Sequence, residues 1–260
     1  HNIDVLWIGA RPTVSPFAVQ EIADALKGVD IPIFVKNPVN PDLNLWLGAL
    51  ERINASGIKR LGAIHRGFSS FDKSPYRNSP MWELPIELKI LCPELPIICD
   101  PSHISGNRNL LYNVSQKALD LEMDGLMIES HINPSNAKSD AEQQVNSGEL
   151  TSLINQLNVR SSGWTNQEFT NKLEQLRIAI DELDEGLINK FASRMDLIEK
   201  IGTYKKENNV TILQLERWEK ILKTRTDLAE KAGLSDDFIK KMLELIHQES
   251  IRIQTSIMNR

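Results

Sequence analysis

Cysteine is scarce in this 260-residue chain: Cys92 and Cys99 are the only two, and both sit in or beside one apolar run. That pattern gives no disulfide framework and fits a reducing cytosol, so a cytoplasmic location is expected. The sequence also lacks an apolar run of about 18 residues and a signal-peptide pattern, so neither a membrane protein nor a secreted precursor is expected. Positive charge is not in excess either. The net charge is −5, with 14 basic against 18 acidic residues in 1–160 and 16 against 17 in the remainder. Neither half carries the basic footprint of a nucleic-acid binder. What the chain does have is 41% hydrophobic residues, enough for one large core or two smaller ones.

Five apolar runs recur along the first half: Val5–Ile8, Ile31–Val35, Leu61–Ile64, Pro96–Cys99 and Gly125–Ile128. Each is nearly continuous rather than alternating, which suits strands buried on both faces of a parallel sheet. Helical patterns lie between them, at Pro16–Leu26, Leu43–Asn54 and Asn109–Leu121. The alternation predicts an α/β fold with a parallel sheet. Cys99, inside one of these strands, is expected as a buried core thiol rather than a metal ligand.

The second half lacks any strand-like run. Thr165-Asn-Gln-Glu168 reads as a capping box. From there Leu173, Leu176, Ile180, Leu183, Leu187, Phe191, Ile198 and Ile201 keep helical spacing to about Lys206. A helix of roughly 40 residues is ~60 Å long, too long to bury its face against one small domain, so a partner chain is expected. A second helix over Leu213–Ala232 stops at Gly233, and a third starts at the cap Ser235. The expected division is residues 1–157, a linker at 158–164, and a helical domain at 165–260.

Chemistry collects where the strands end. Arg11, Lys36 and Arg66 follow three successive apolar runs, and Asp100-Pro101-Ser102-His103 ends the fourth. Glu129 comes 26 residues after His103, and Asp140 lies 11 residues beyond that. One cation at a strand end is ordinarily solvated or ion-paired; three in a row form a pocket suited to a phosphate and a carboxylate. An imidazole with two carboxylates is a plausible ligand set for a divalent metal.

The combination of Gly9-Ala10-Arg11, Asp100-Pro-Ser-His103 and the Glu129…Ser139-Asp140 spacing closely resembles the 3-deoxy-D-arabino-heptulosonate 7-phosphate (DAHP) synthases, in their shorter type I beta form. The resemblance covers about residues 2–157. It implies a (β/α)8 TIM barrel that condenses phosphoenolpyruvate with erythrose 4-phosphate. Arg11, Lys36 and Arg66 would hold phosphoenolpyruvate, and His103, Glu129 and Asp140 would bind the metal. Mn²⁺ is the leading expectation, with Fe, Co or Zn compatible with the donors. The sequence departs from the pattern in carrying neither the family's metal-binding cysteine nor its Lys-Pro-Arg-Thr segment. Five strands cannot close an eight-stranded barrel, so the expectation is the C-terminal portion of a barrel, with Val5–Ile8 left as an apolar edge and no competent synthase in the chain as written.

On the long helix, the 11-residue step from Arg194 to Lys205 keeps them within roughly 20° on one stripe, whereas Arg177 lies about 25 Å earlier and is turned by roughly 100°. Helix arginines commonly pair with a carboxylate one turn away, and Asp181 and Glu199 offer one to each. The wider pattern runs from Leu176-Arg177-x-x-Ile180-Asp181 through Arg194, Ile201-Gly202-x-x-Lys205 and Arg217 to Ser250-x-x-x-Gln254. Over about residues 169–258 it resembles the all-helical chorismate mutases, intertwined dimers that convert chorismate to prephenate. The resemblance implies that Arg194 binds a substrate carboxylate and that Arg177 reaches the partner's site. Lys205 and Gln254 would donate to the ether oxygen, with Arg217 and Ser250 lining the pocket. One position departs from the pattern: Trp218 stands where a glutamate is usual, and Glu219 follows it.

A bifunctional enzyme of aromatic amino-acid biosynthesis is the resulting expectation, dimeric through its helices. A non-catalytic, prephenate-sensing helical module is the alternative, and an unrelated metal-dependent aldolase barrel a third reading.

Overall fold

The computed structural model describes residues 3–71, 74–160, 163 and 167–259. The chain forms two compact units, His1–Gly163 and Trp164–Arg260. Thr165 of the expected capping box, and Ser161 and Ser162 of the expected linker, lie outside the described residues.

In the first unit, β1 (Leu6–Ile8) leads through α1 (Ala10–Thr13) and α2 (Pro16–Ala25) to β2 (Ile33–Lys36). Next come α3 (Leu43–Ala55), β3 (Leu61–His65), α4 (Glu83–Leu91) and β4 (Ile97–Cys99). The unit continues with α5 (Pro101–Ser105), α6 (Leu111–Asp120), β5 (Gly125–Leu126) and α7 (Ser147–Gln156). All five strands are parallel and adjacent in sequence order, β1-β2-β3-β4-β5. Each apolar run of the sequence thus became a strand, and each connection moves one place along the sheet, the winding of a (β/α) barrel. Among the described residues β1 forms one edge of the sheet; Trp7 on it is 53% exposed.

Local chemistry explains the helix starts. Ser15 and Asp42 cap α2 and α3 by accepting from the Ala18 and Leu45 amides, and Asn146 with Glu149 forms a capping box for α7. The helices α4 and α7 and the single turns α1 and α5 were not read from the sequence: α1 and α5 are too short to show a helical period, Pro85 interrupts α4, and α7 has only a few apolar residues, Leu150, Leu153 and Ile154. Ile33, Val35, Ala63, Ile97 and Cys99 are fully buried on the face of the sheet that the helices cover. Cys99 is a core residue, and burial pushes its thiol pKa well up, as does the Asp100 charge, so it is a poor metal ligand.

Trp46 on α3 anchors the layer by donating to the Val35 carbonyl at 3.1 Å. Beside it, His65 is fully buried among Trp46, Phe68 and Trp82, with ring centroids 5.2–6.5 Å apart. Neither ring nitrogen makes a hydrogen bond of acceptable geometry, although the Pro80 carbonyl lies near enough to oppose the shift. Burial therefore lowers the His65 pKa from 6.5 to about 3.

The second unit is all helical: α8 (Gln167–Glu207), α9 (Leu215–Lys231) and α10 (Asp236–Met258), the last capped by Ser235. Helix α10 packs along α8, with α9 against α10. On α8, Leu176, Leu183, Leu187 and Ile188 are all more than half exposed in the single chain.

An unfolded His65 takes up a proton below pH 6.5 and the folded one does not until about pH 3. The buried His65 should therefore cost the first unit nothing above pH 6.5 and up to ~1.4 kcal/mol per pH unit below it. Urea unfolding at pH 7 and pH 5 should show a smaller loss for His65→Phe than for the native chain.

Candidate functional site

The carboxyl ends of the parallel strands carry the chemistry of the first unit. Asp100 caps α5 by accepting from the His103 amide at 3.1 Å, and Pro101 occupies the first helical position, where no N–H is needed. The short Asp-Pro-Ser-His motif is thus a helix start as well as a side-chain cluster. Buried Asp100 also accepts from Lys36 Nζ at 2.7 Å, and its own amide bonds the His65 carbonyl at 2.7 Å. Burial alone would raise the Asp100 carboxyl pKa; His103 and Lys36 outweigh it and hold it low. His103 Nδ1 lies 2.8 Å from Asp100 Oδ2, close enough to stabilise the Asp100 carboxylate.

His103, Glu129 and Asp140 each bring one donor atom within 4.8 Å of the others. His103 Nε2 is 3.7 Å from Glu129 Oε1. Ser102 Oγ accepts from the Glu129 amide at 2.9 Å, and the Glu129 carbonyl accepts from Val145 across the base of the loop that carries Asp140. Imidazole with two carboxylates in this proximity fits a divalent metal.

The cations divide between two situations. Lys36 is tied to Asp100. Arg66 is held twice: its amide donates to Asn37 Oδ1 at 2.7 Å, and its guanidinium to Asn78 Oδ1 at 2.8 Å. Burial lowers the Arg66 pKa and Asp100 opposes this, while Arg77 and Arg11 push the same way as burial. Arg11 is exposed at the end of α1 yet close enough to act on Arg66. Sequence reasoning missed Asn78, which also donates to the His103 carbonyl at 2.6 Å. It missed Arg77 and Gln143 as well. These three residues lie in loops with no periodicity or motif to mark them.

In the second unit, Arg194 on α8 donates to Ser250 Oγ on α10 at 2.8 Å. Ser250 and Gln254 are both buried on α10, and the Gln254 Oε1 atom is buried without a partner. Lys205 donates to the Ile212 carbonyl at 2.6 Å. Burial lowers the pKa of both Arg194 and Lys205. Arg177 pairs with Glu174 at 3.7 Å, and Arg194 turns to Ser250 rather than to Glu199. Arg217 is exposed on α9. Its neighbour Trp218 stacks on His247 of α10, centroids 4.0 Å apart and planes 14° apart. Burial, then Arg194, lowers the His247 pKa.

The family model described as DAHP synthetase I family matches residues 1–163. The chain belongs to that family. A second model, chorismate mutase type II, matches residues 176–255. Among curated relatives, the phospho-2-dehydro-3-deoxyheptonate aldolase of Thermotoga maritima is 27% identical over 154 residues, 59% of this chain and 44% of the relative. The T-protein of Haemophilus influenzae is 39% identical over 82 residues, 32% of this chain and 22% of the relative. A bifunctional chorismate mutase/prephenate dehydratase of Buchnera aphidicola is 30% identical over 90 residues, 35% of this chain and 23% of that protein. The chain thus spans less than half the length of these relatives. A solved truncated DAHP synthase from T. maritima matches 58% of this chain and 56% of its own, at 26% identity and a TM-score of 0.50. The family's sheet is therefore the fold seen in the first unit.

Two substitutions probe this framework. Asp100→Ala would strand the buried Lys36 ammonium, so a loss of about 3 kcal/mol in urea unfolding is expected. A side chain at Gly202 would meet Ile257 Cδ1 at 2.9 Å and Gln254 Cγ at 3.3 Å. Gly202→Val should push α8 from α10, costing about 1–3 kcal/mol of the helical unit's stability in thermal unfolding.

Proposed function

We propose that this chain serves a bifunctional shikimate-pathway enzyme, with the C-terminal part of a DAHP synthase barrel at 1–157, a linker at 158–164 and a chorismate mutase domain at 165–260. The observation that carries the reading is the convergence, within each unit, of the polar groups its chemistry needs. At the strand ends three cations stand beside a three-ligand cluster; between α8 and α10 lies the Arg194–Ser250–Gln254 row.

In the barrel unit Arg11, Lys36 and Arg66 bind the phosphate and carboxylate of phosphoenolpyruvate. Asp100 holds the Lys36 ammonium at the strand end through one of its three N–H donors. Asn37 holds the Arg66 backbone amide and Asn78 its guanidinium, so little side-chain freedom is lost on binding. His103, Glu129 and Asp140 would hold the divalent metal, Mn²⁺ first, with Fe, Co or Zn also compatible with the donors. When bound, such an ion supplies Lewis-acid polarisation of the erythrose 4-phosphate aldehyde.

In the helical unit Arg194 takes a substrate carboxylate, with Ser250 steering its guanidinium. Lys205 and Gln254 donate to the ether oxygen as charge gathers there in the rearrangement of chorismate to prephenate. No nucleophile or base is needed; the site holds the reactive conformer. Arg217 lines the pocket, and Arg177 serves the site of a second copy. The uncovered apolar stripe of α8 supports that homodimer. No described helix is long and apolar enough to cross a membrane; cytoplasmic residence and the absence of nucleic-acid partners complete the reading. A sensing-only helical module is less favoured, because several curated relatives of this half carry mutase names.

Chorismate absorbance should fall when micromolar chain is added. In Lys205→Ala, kcat/KM should drop about 10²–10³-fold; a native chain with no turnover would exclude catalysis by this domain.

A further inference from the structure

Arg77 and Gln143 form a polar connection that joins two of the three candidate metal ligands. Arg77 Nη1 donates to Asp140 Oδ1 at 2.6 Å and to Gln143 Oε1 at 2.9 Å. The Gln143 amide then donates from Nε2 to Glu129 Oε2 at 2.7 Å. Gln143 is 1% exposed, so these partners stand in place of water. Its orientation is dictated by charge. Turned over, the amide would place its NH₂ against the guanidinium and its oxygen against the carboxylate, leaving both hydrogen bonds unmade inside the protein.

The surroundings favour the same arrangement. Asp140 has a left-handed backbone, with φ of 51°, tolerable for aspartate but still uncommon, and its carboxylate is the group Arg77 grips. Gly106, with φ of 67°, lies so close to Arg77 that an added Cβ would stand 2.5 Å from the Arg77 Cβ. The C-terminal glycine of α5 thus admits the arginine stem beside the helix that carries His103. These hydrogen bonds are made by Asp140 Oδ1 and Glu129 Oε2, whereas the other Glu129 oxygen, Oε1, lies 3.7 Å from His103 Nε2.

We propose that Arg77 and Gln143 act together as a positioning relay that presents one oxygen each of Glu129 and Asp140 to a divalent cation. The proposal rests on the metal site described above and deepens it. Partners of this kind typically change metal affinity about 10–100-fold.

Charge alone predicts the opposite sign at Arg77. Removing a cation beside the site would tighten a divalent ion if the guanidinium merely repelled it, whereas loss of the relay loosens it. The test is Mn²⁺ titration of the full chain by isothermal calorimetry, with thermal unfolding run in parallel. Gln143→Leu and Arg77→Met should each weaken Mn²⁺ binding about 10–100-fold at little-changed unfolding temperature without metal. The double variant should be no weaker than either single, because one relay is lost only once. Arg77→Lys should recover part of the affinity. Additive losses, unchanged affinity, or tighter binding in Arg77→Met would overturn the relay. Absence of Mn²⁺ binding to the native chain would overturn the metal site and the relay together, whereas native binding with insensitive variants would overturn the relay alone.

Discussion

The buried ion pair between Lys36 and Asp100 is the contact on which the first unit's site depends. A carboxylate with 1% exposed side chain and an ammonium with 9% are costly to bury singly, so neither can be placed without the other. Asp100 links the end of β4 to β2 through Lys36, to β3 through the His65 carbonyl, and to α5 through the His103 amide. Three strand ends and the helix bearing a metal-type ligand are therefore registered by one side chain and its backbone. Asn78 repeats the device from a loop, joining the Arg66 guanidinium to the His103 carbonyl.

The helical unit solves a similar problem by close approach. Gly202 lets α8 lie against Gln254 and Ile257 of α10, and the Arg194–Ser250 hydrogen bond spans the same pair of helices. What the single chain does not supply is a cover for the apolar stripe of α8. Trp218, where the family's pattern has an acid, stacks on His247 instead of presenting a carboxylate. The neutral ring pair suits a position already facing Arg194, whose charge disfavours protonated His247.

Much of this was legible in the residues themselves. Continuous apolar runs located all five strands, because a strand buried on both faces leaves no polar alternation. Leucine and isoleucine spacing gave the long helix to within a few residues of Gln167–Glu207. His103 and Glu129 were readable because residues just past the strands converge in a parallel sheet, and Asp140 because its Ser-Asp spacing after Glu129 matches a family pattern, although a loop had to carry it there. Arg77, Asn78 and Gln143 were not: their partners lie 12 to 66 residues away, and no local spacing encodes such a meeting.

The sequence by itself determined the α/β alternation, the helical second half and the residue types available at each strand end. Those follow from periodicity and from short motifs such as the aspartate cap followed by proline, which act within a few residues. Only the tertiary structure decided which of those groups are committed to one another. It tied Lys36 to Asp100, turned Arg194 to Ser250 rather than Glu199, and brought Arg77 to Asp140 through a loop closed by the backbone bonds of Val145 to Glu129 and His131. Pairings of that kind depend on burial and distance, which arise only when remote segments pack and exclude the water that would otherwise satisfy each charge alone.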